Sequence, residues 1–261
     1  MATILFPTDF SPTANNAFQY ALNLARVIGA DLRIVTVKTH LKEYLNLQQN
    51  EFDQKIKELQ DIALGNNLTE VKMTSSLEVG DLILTILDII RKEQIDYVVM
   101  GTNGENSFGK KFFGSQTIAL INNSPVPVLA VPHGVDFVES RKFAYATMWN
   151  TNEESAIRQM LSFSERHHSK LDIVHVEKKT LSIDEIMKKR EWEVEFPEAN
   201  FEVIKNDDVD SALIDYCENH QIDVLGLMYR ELNPFQRLFS ESHSKRLLTE
   251  AQFAILVLKS K

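Results

Sequence analysis

The sequence predicts an α/β protein built twice over. Two observations carry this: short β-rich apolar runs alternate with longer amphipathic stretches, and the whole pattern recurs once along the 261 residues. Set in register, ILFPTDFSPTANNAF (4–18) falls on FAYATMWNTNEESAI (143–157), and ADLRIVTV (30–37) falls on SKLDIVHV (169–176). Later, QIDYVVM (94–100) matches QIDVLGLM (221–228), and PVPVLAV (125–131) answers QFAILVL (252–258). The offset is about 139 residues early and about 127 late, so the second copy is shorter by about a dozen residues in its middle. Domains are expected at 1–133 and 142–261, divided by the polar stretch HGVDFVESRK (133–142).

In the first copy, Thr3–Pro7, Leu32–Val37, Val71–Ser75, Tyr97–Gly101 and Val126–Val131 read as strands. Ser11 then Pro12 supplies an N-cap followed by a proline at the first helical position. Ala14, Ala17, Phe18, Ala21, Ala25 and Ile28 recur at helical spacing, and a second apolar helix runs through Leu82, Ile83, Ile86 and Ile90. Apolar strands alternating with helices imply a five-stranded parallel sheet flanked by helices in each copy, two tandem Rossmann-like domains. Ligands of such sheets bind beyond the C-terminal strand ends, where strand order reverses. Asp9, Val37 and the glycine-bearing stretch GTNGENSFGKKFFGSQT (101–117) all fall at strand ends.

Composition narrows the function. The net charge is −9, which argues against nucleic acid or an anionic membrane as partner. No apolar run approaches the length of a membrane span, and MATILFPTDFSP lacks the basic start of a signal peptide. Cys217 is the only cysteine, which fits a cytoplasmic setting, and its apolar helical context reads as a small buried residue. The seven histidines show no metal-ligand spacing, and His175 reads as a strand residue matching Thr36. No nucleophile elbow or arginine clamp stands out, so no catalytic residue and no metal site are assigned.

Two readings of 101–117 compete. A Walker-type loop, Gly104-x4-Gly109-Lys110-Lys111, places lysine where a magnesium-binding Ser or Thr belongs. The other spacing, Gly101-x2-Gly104-x9-Gly114-Ser115, lets the backbone turn sharply after one strand and brings amides toward an anion. Gly114-Ser115-Gln116-Thr117 then opens a helix whose N-terminal amides and dipole suit a phosphate.

On Gly101, Gly104, Gly114 and Ser115, with the opening ILFPTDFS, the chain resembles a tandem universal stress protein, the likeness covering both halves and the ATP-binding motif lying in the first. The resemblance implies an ATP site, with AMP or ADP as alternatives and Mg2+ as a companion. In it Pro7, Thr8 and Asp9 lie by the adenosine, Val37 contacts adenine, and Met100 and Gly101 border the nucleoside. Asn103, Gly104, Gly114, Ser115, Gln116 and Thr117 surround the phosphates. It further implies an intramolecular pseudo-dimer of the two domains, and a homodimer of the whole chain is open. The function expected is nucleotide binding as a regulatory ligand in the stress response. The alternatives are a slow ATP-hydrolysing enzyme of the same fold and a nucleotide-free scaffold.

The second copy departs at the same positions. Asp9 becomes Met148, Gly101 becomes Met228, Gly104 becomes Glu231 and Gly114 becomes Glu241, while Val37 stays as Val176. Each added carboxylate would repel a phosphate by roughly 1–4 kcal/mol at about 4 Å, so this domain is expected to be nucleotide-free. Its charged segment SIDEIMKKREWEVEF (182–196) reads as a solvated helix with one packed tryptophan, a partner surface being the alternative.

Overall fold

The computed structural model describes residues 2–39, 49–102, 114–135, 137, 142–178, 180–229 and 251–259. The chain divides into two compact units, Met1–Phe137 and Val138–Lys261.

The first unit contains β1 (Thr3–Pro7), α1 (Pro12–Ile28), β2 (Asp31–Lys38), α2 (Gln49–Gly65) and β3 (Met73–Val79). It continues with α3 (Leu82–Lys92), β4 (Tyr97–Gly101), α4 (Ser115–Asn123) and β5 (Val128–Val131). Its sheet has the order β3-β2-β1-β4-β5, every pair parallel. Ile4, Leu5 and Phe6 of β1 and Val98 and Val99 of β4 are fully buried, as central strands covered on both faces must be. With the usual handedness of such crossovers, α1 and α2, which touch each other, share one face, and the contacting pair α3 and α4 share the other.

α1 starts where its sequence says it should. Ser11 Oγ accepts from Ala14 N at 3.3 Å, Pro12 follows, and Gly29 ends the helix in the left-handed region at φ 66°. Two strand boundaries differ from expectation. β3 runs from Met73 to Val79 instead of 71–75, because it pairs with β2 out to Lys38 and Val79. β5 begins at Val128, since the Ser124 hydroxyl holds both the amide and the carbonyl of Val126 in a turn.

The second unit repeats the plan. It contains β6 (Phe143–Ala146), a 3-10 turn at Thr151–Glu153, α5 (Glu154–Arg166), β7 (Leu171–Glu177), α6 (Ile183–Glu195) and β8 (Asn200–Lys205). α7 (Val209–His220), β9 (Val224–Tyr229) and β10 (Ala254–Lys259) complete it. Its parallel sheet has the order β10-β9-β6-β7-β8. α6, the helix within 182–196, opens on a reciprocal Ser182–Glu185 capping box and buries Trp192 completely. Cys217 lies buried on α7, and burial pushes its thiol pKa up.

Candidate functional site

Strand order in the first unit reverses between β1 and β4. The chain leaves β1 toward β2 and leaves β4 toward β5, which makes the carboxyl edge between them the switch point at which such sheets place ligands. Three segments frame it: the β1–α1 turn, the end of β2, and the end of β4 with the start of α4.

The turn is fixed by short-range bonds. Thr8 N donates to Val35 O at 2.9 Å, Thr36 Oγ1 donates to Thr8 O at 3.0 Å, and Phe10 N donates to Thr8 Oγ1 at 2.9 Å. Asp9 Oδ1 accepts from Ser11 N at 3.0 Å. Phe10 sits at φ 60°, a conformation that bulky residues avoid, and its ring meets Phe52 edge-on. Pro7 and Thr8 are buried while Asp9 is exposed, so the carboxylate is displayed to solvent at the strand-end edge. Val37, one residue beyond Thr36, is half-buried.

Gly101 is the last residue of β4, as the strand reading Tyr97–Gly101 has it, and its φ lies outside the left-handed region. Its lack of a side chain serves close approach instead. A Cβ there would come within 3.0 Å of both the carbonyl oxygen and Cγ2 of Thr13, in the first turn of α1. Thr117 Oγ1 donates to Gly101 O at 3.3 Å, so α4 reaches the same residue. Gly114 N donates to Thr102 O at 2.5 Å, and a Cβ on Gly114 would stand 3.0 Å from that oxygen. Gly114 therefore holds the start of α4 tightly against the end of β4.

α4 has no side-chain cap on its first turn, and Ser115 and Gln116 are exposed. Among the described residues no side chain caps its N-terminal amides, which carry the partial positive charge of the helix end. Thr117 is buried and its hydroxyl is engaged with Gly101, which leaves its contribution to the backbone amide. Met100 is buried beneath the edge. Asn103 and Gly104 lie outside the described residues, as do Gly109, Lys110, Lys111, Glu231 and Glu241.

His133 was not expected here, because in sequence it opens the polar stretch between the domains. It follows β5, and its Nδ1 lies 3.0 Å from Thr13 Oγ1.

The second unit keeps the frame and replaces what it displays. Thr147 N donates to Val174 O at 2.9 Å, Trp149 N donates to Thr147 Oγ1 at 2.9 Å, and Trp149 takes φ 56°. His175 Nδ1 lies 2.8 Å from Thr147 O, in the role that Thr36 has in the first unit. Unforeseen from sequence is Glu153, only 2% exposed, whose carboxylate accepts from Thr147 Oγ1 at 2.5 Å and from Met148 N at 3.2 Å. This turn carries a buried carboxyl group of its own. Met228, at the position of Gly101, is buried and fills space with its side chain.

Among the described residues, Glu154, Glu191 and Glu195 bring carboxylate oxygens within 4.8 Å of one another. Cations already compensate them: Lys188 pairs with Glu154 at 2.9 Å and with Glu191 at 3.1 Å, and Arg158 pairs with Glu195. The Lys188 hydrogen bond holds the Glu154 carboxyl below its usual range. Burial works to lower the Lys188 pKa, but its bonds to the two glutamates outweigh this and raise it. No helix among the described residues is long and apolar enough to cross a membrane.

A doubly wound parallel α/β fold whose strand order reverses between β1 and β4 defines the class of protein. The model of the universal stress protein family matches residues 1–132. A curated relative from Thermus aquaticus, described as a universal stress protein in the QAH/OAS sulfhydrylase 3' region, is 30% identical over 135 residues, 49% of this chain and 97% of its own. A universal stress protein from Archaeoglobus fulgidus superposes with a TM-score of 0.74 at 17% identity, covering 99% of this chain and 96% of that one. A putative universal stress protein from Pseudomonas aeruginosa gives 0.71 at 14% identity, with 99% and 93% covered. The two structures share the fold across both units, and the chain belongs to the universal stress protein family.

Proposed function

We propose that the first unit binds an adenine nucleotide, ATP or its products ADP and AMP, as a regulatory ligand in the cellular stress response. The observation that carries this reading is the start of α4. An uncapped helix N-terminus, bonded through Gly114 to the end of β4, opens at the same strand-end edge that displays Asp9. The amides of Ser115, Gln116 and Thr117 suit phosphate oxygens, together with Gly104 and Asn103. Asp9 suits ribose hydroxyls, Pro7, Thr8 and Val37 the adenosine, and Met100 and Gly101 the border of the nucleoside. A magnesium ion would neutralise part of the phosphate charge. The second unit, with Met148, Met228 and the internal carboxylate of Glu153, is read as a nucleotide-free partner domain. The chain acts in the cytoplasm in this reading.

Calorimetry with ATP and magnesium tests it. One ATP per chain is expected, and two equivalent sites would contradict the assignment of the second unit. Acid-quenched samples after long incubation should return intact nucleotide. Sustained multiple turnover would replace the regulatory reading with a hydrolase, and absence of binding would leave a scaffold.

A further inference from the structure

We propose that the outer face of α6, in the second unit, is a docking surface for a basic amphipathic helix of a partner protein. The inference does not rest on the nucleotide reading of the first unit. Apolar side chains stand largely in solvent on this face: Ile183 is 79% exposed, Met187 60% and Val194 82%. With Arg190, also exposed, they recur at intervals of four, three and four residues, which sets them on one stripe of the helix. The stripe is about 17 Å long, three turns. Nothing within the unit calls for these residues. Trp192, on the other side of the helix, holds it to the core, and the Ser182–Glu185 capping box fixes its start. Ile183 and Val194 are β-branched and form helix less readily than Ala, Glu or Lys, so helix formation does not favour them either.

The first unit provides the contrast. α2 takes the place between β2 and β3 that α6 takes between β7 and β8. Every exposed position of α2 from Asn50 to Asp61 is polar or charged, and Leu64 is exposed in its last turn. An outward apolar stripe is therefore particular to the second unit and not a demand of the fold.

The charges beside the stripe select its occupant. This spacing is that of heptad positions d, a, d and a, so Asp184 and Glu191 fall at e, and Ile186 and Glu193 at g. No flanking position is basic. Lys188 pairs with Glu191 at 3.1 Å and Lys189 pairs with Glu193, but both lysines lie away from the stripe, and pairs of this kind are weak. A second copy would bring acidic rim against acidic rim in either direction of pairing, between chains that each carry a net charge of −9. A helix with apolar residues at a and d and Lys or Arg at e and g covers the stripe and neutralises its rim. An acidic residue opposite Arg190 would fix its register. α6 is already held by Trp192 and by the Lys188–Glu154 and Arg158–Glu195 pairs, so docking has only the partner to order.

The test follows the fluorescence anisotropy of two labelled synthetic peptides, about three heptads long, against the full chain. Both carry leucine at a and d, with one d position given to glutamate to meet Arg190. One has lysine at e and g, the other glutamate. The lysine peptide should bind about tenfold tighter or more. Met187→Gln should weaken its binding about three- to tenfold through lost apolar contact. Asp184→Lys combined with Glu193→Lys should reverse the preference between the peptides. Glu165→Lys combined with Glu218→Lys, at exposed positions of α5 and α7, makes the same change of net charge and should leave the preference standing. Equal effects of the two double substitutions would trace the attraction to net charge alone and overturn the proposal. So would full affinity in Met187→Gln, or no binding of the lysine peptide. Self-association of the chain in sedimentation velocity, abolished by Met187→Gln, would give the stripe to a second copy and overturn it as well.

Discussion

The Thr36 hydroxyl donates to the carbonyl oxygen of Thr8 at 3.0 Å, and the His175 imidazole stands 2.8 Å from the carbonyl of Thr147. Two different side chains thus secure one turn to the neighbouring strand in the two units. Thr36→Val keeps the volume and removes the donor from an almost fully buried pair. It should cost about 1–3 kcal/mol, the penalty for an unsatisfied buried acceptor. Urea unfolding checks this, and an unchanged midpoint would show that another group satisfies the Thr8 carbonyl.

Gly101→Ala brings a Cβ within 3.0 Å of Thr13 backbone and side chain. Backbone on both sides leaves little freedom to relax, so a loss of about 1–3 kcal/mol is expected from overpacking. ATP affinity should fall in the same variant, because the start of α4 bonds to this residue through Thr117. Differential scanning calorimetry and ATP titration measure the two effects.

Glu153→Ala removes the carboxylate that receives Thr147 Oγ1 and Met148 N inside the second unit. Two donors lose an acceptor in a buried turn, and destabilisation of about 1–3 kcal/mol follows. Both tryptophans of the chain, Trp149 and Trp192, lie in this unit, so tryptophan emission during unfolding reports on it selectively. The emission midpoint should drop while ATP affinity at the first unit holds. A drop in ATP affinity would show that the two turns are coupled.

Acid should weaken the second unit. Hydrogen bonding from Lys188 depresses the Glu154 pKa, and the Ser182 amide depresses that of Glu185, both from an ordinary 4.5. Their stabilising contribution is complete above the unfolded value near 4.5 and fades as pH falls through the lower folded values. Urea midpoints read from tryptophan emission should therefore decline below pH 4.5 in wild type. The decline should be shallower in Glu154→Gln.

Much of this architecture was legible because the chain states it twice. Continuous apolar runs such as ILF mark buried parallel strands, and Ser11-Pro12 with Gly29 marks both ends of α1 by local chemistry alone. Register between the copies placed His175 opposite Thr36 before their shared role was visible. Where local preference and sheet pairing disagreed, pairing prevailed: Ser76 and Glu78 lie beyond the strand read from sequence, yet β2 holds them in β3. Glu153 and His133 were hidden for a different reason. Both sit in polar stretches without periodicity, and only tertiary contacts with Thr147 and Thr13 give them their roles. Gly101 was read from sequence as freeing the backbone for an anion, and the close approach of Thr13 in α1 is a second demand for glycine that only the tertiary structure shows.

Phe10 and Trp149 occupy matching positions with the same unfavourable backbone sign, φ 60° and φ 56°, although one turn displays Asp9 and the other Met148. The kink is consequently a fixture of the scaffold and owes nothing to the group exposed beside it. Each turn works as a mounting bracket: an aromatic side chain, half-buried in Phe10 and buried in Trp149, braces the bend, and the preceding residue can be exchanged without rebuilding the wall behind. A chain so equipped can exchange the residue at this edge in one half while both halves go on folding alike.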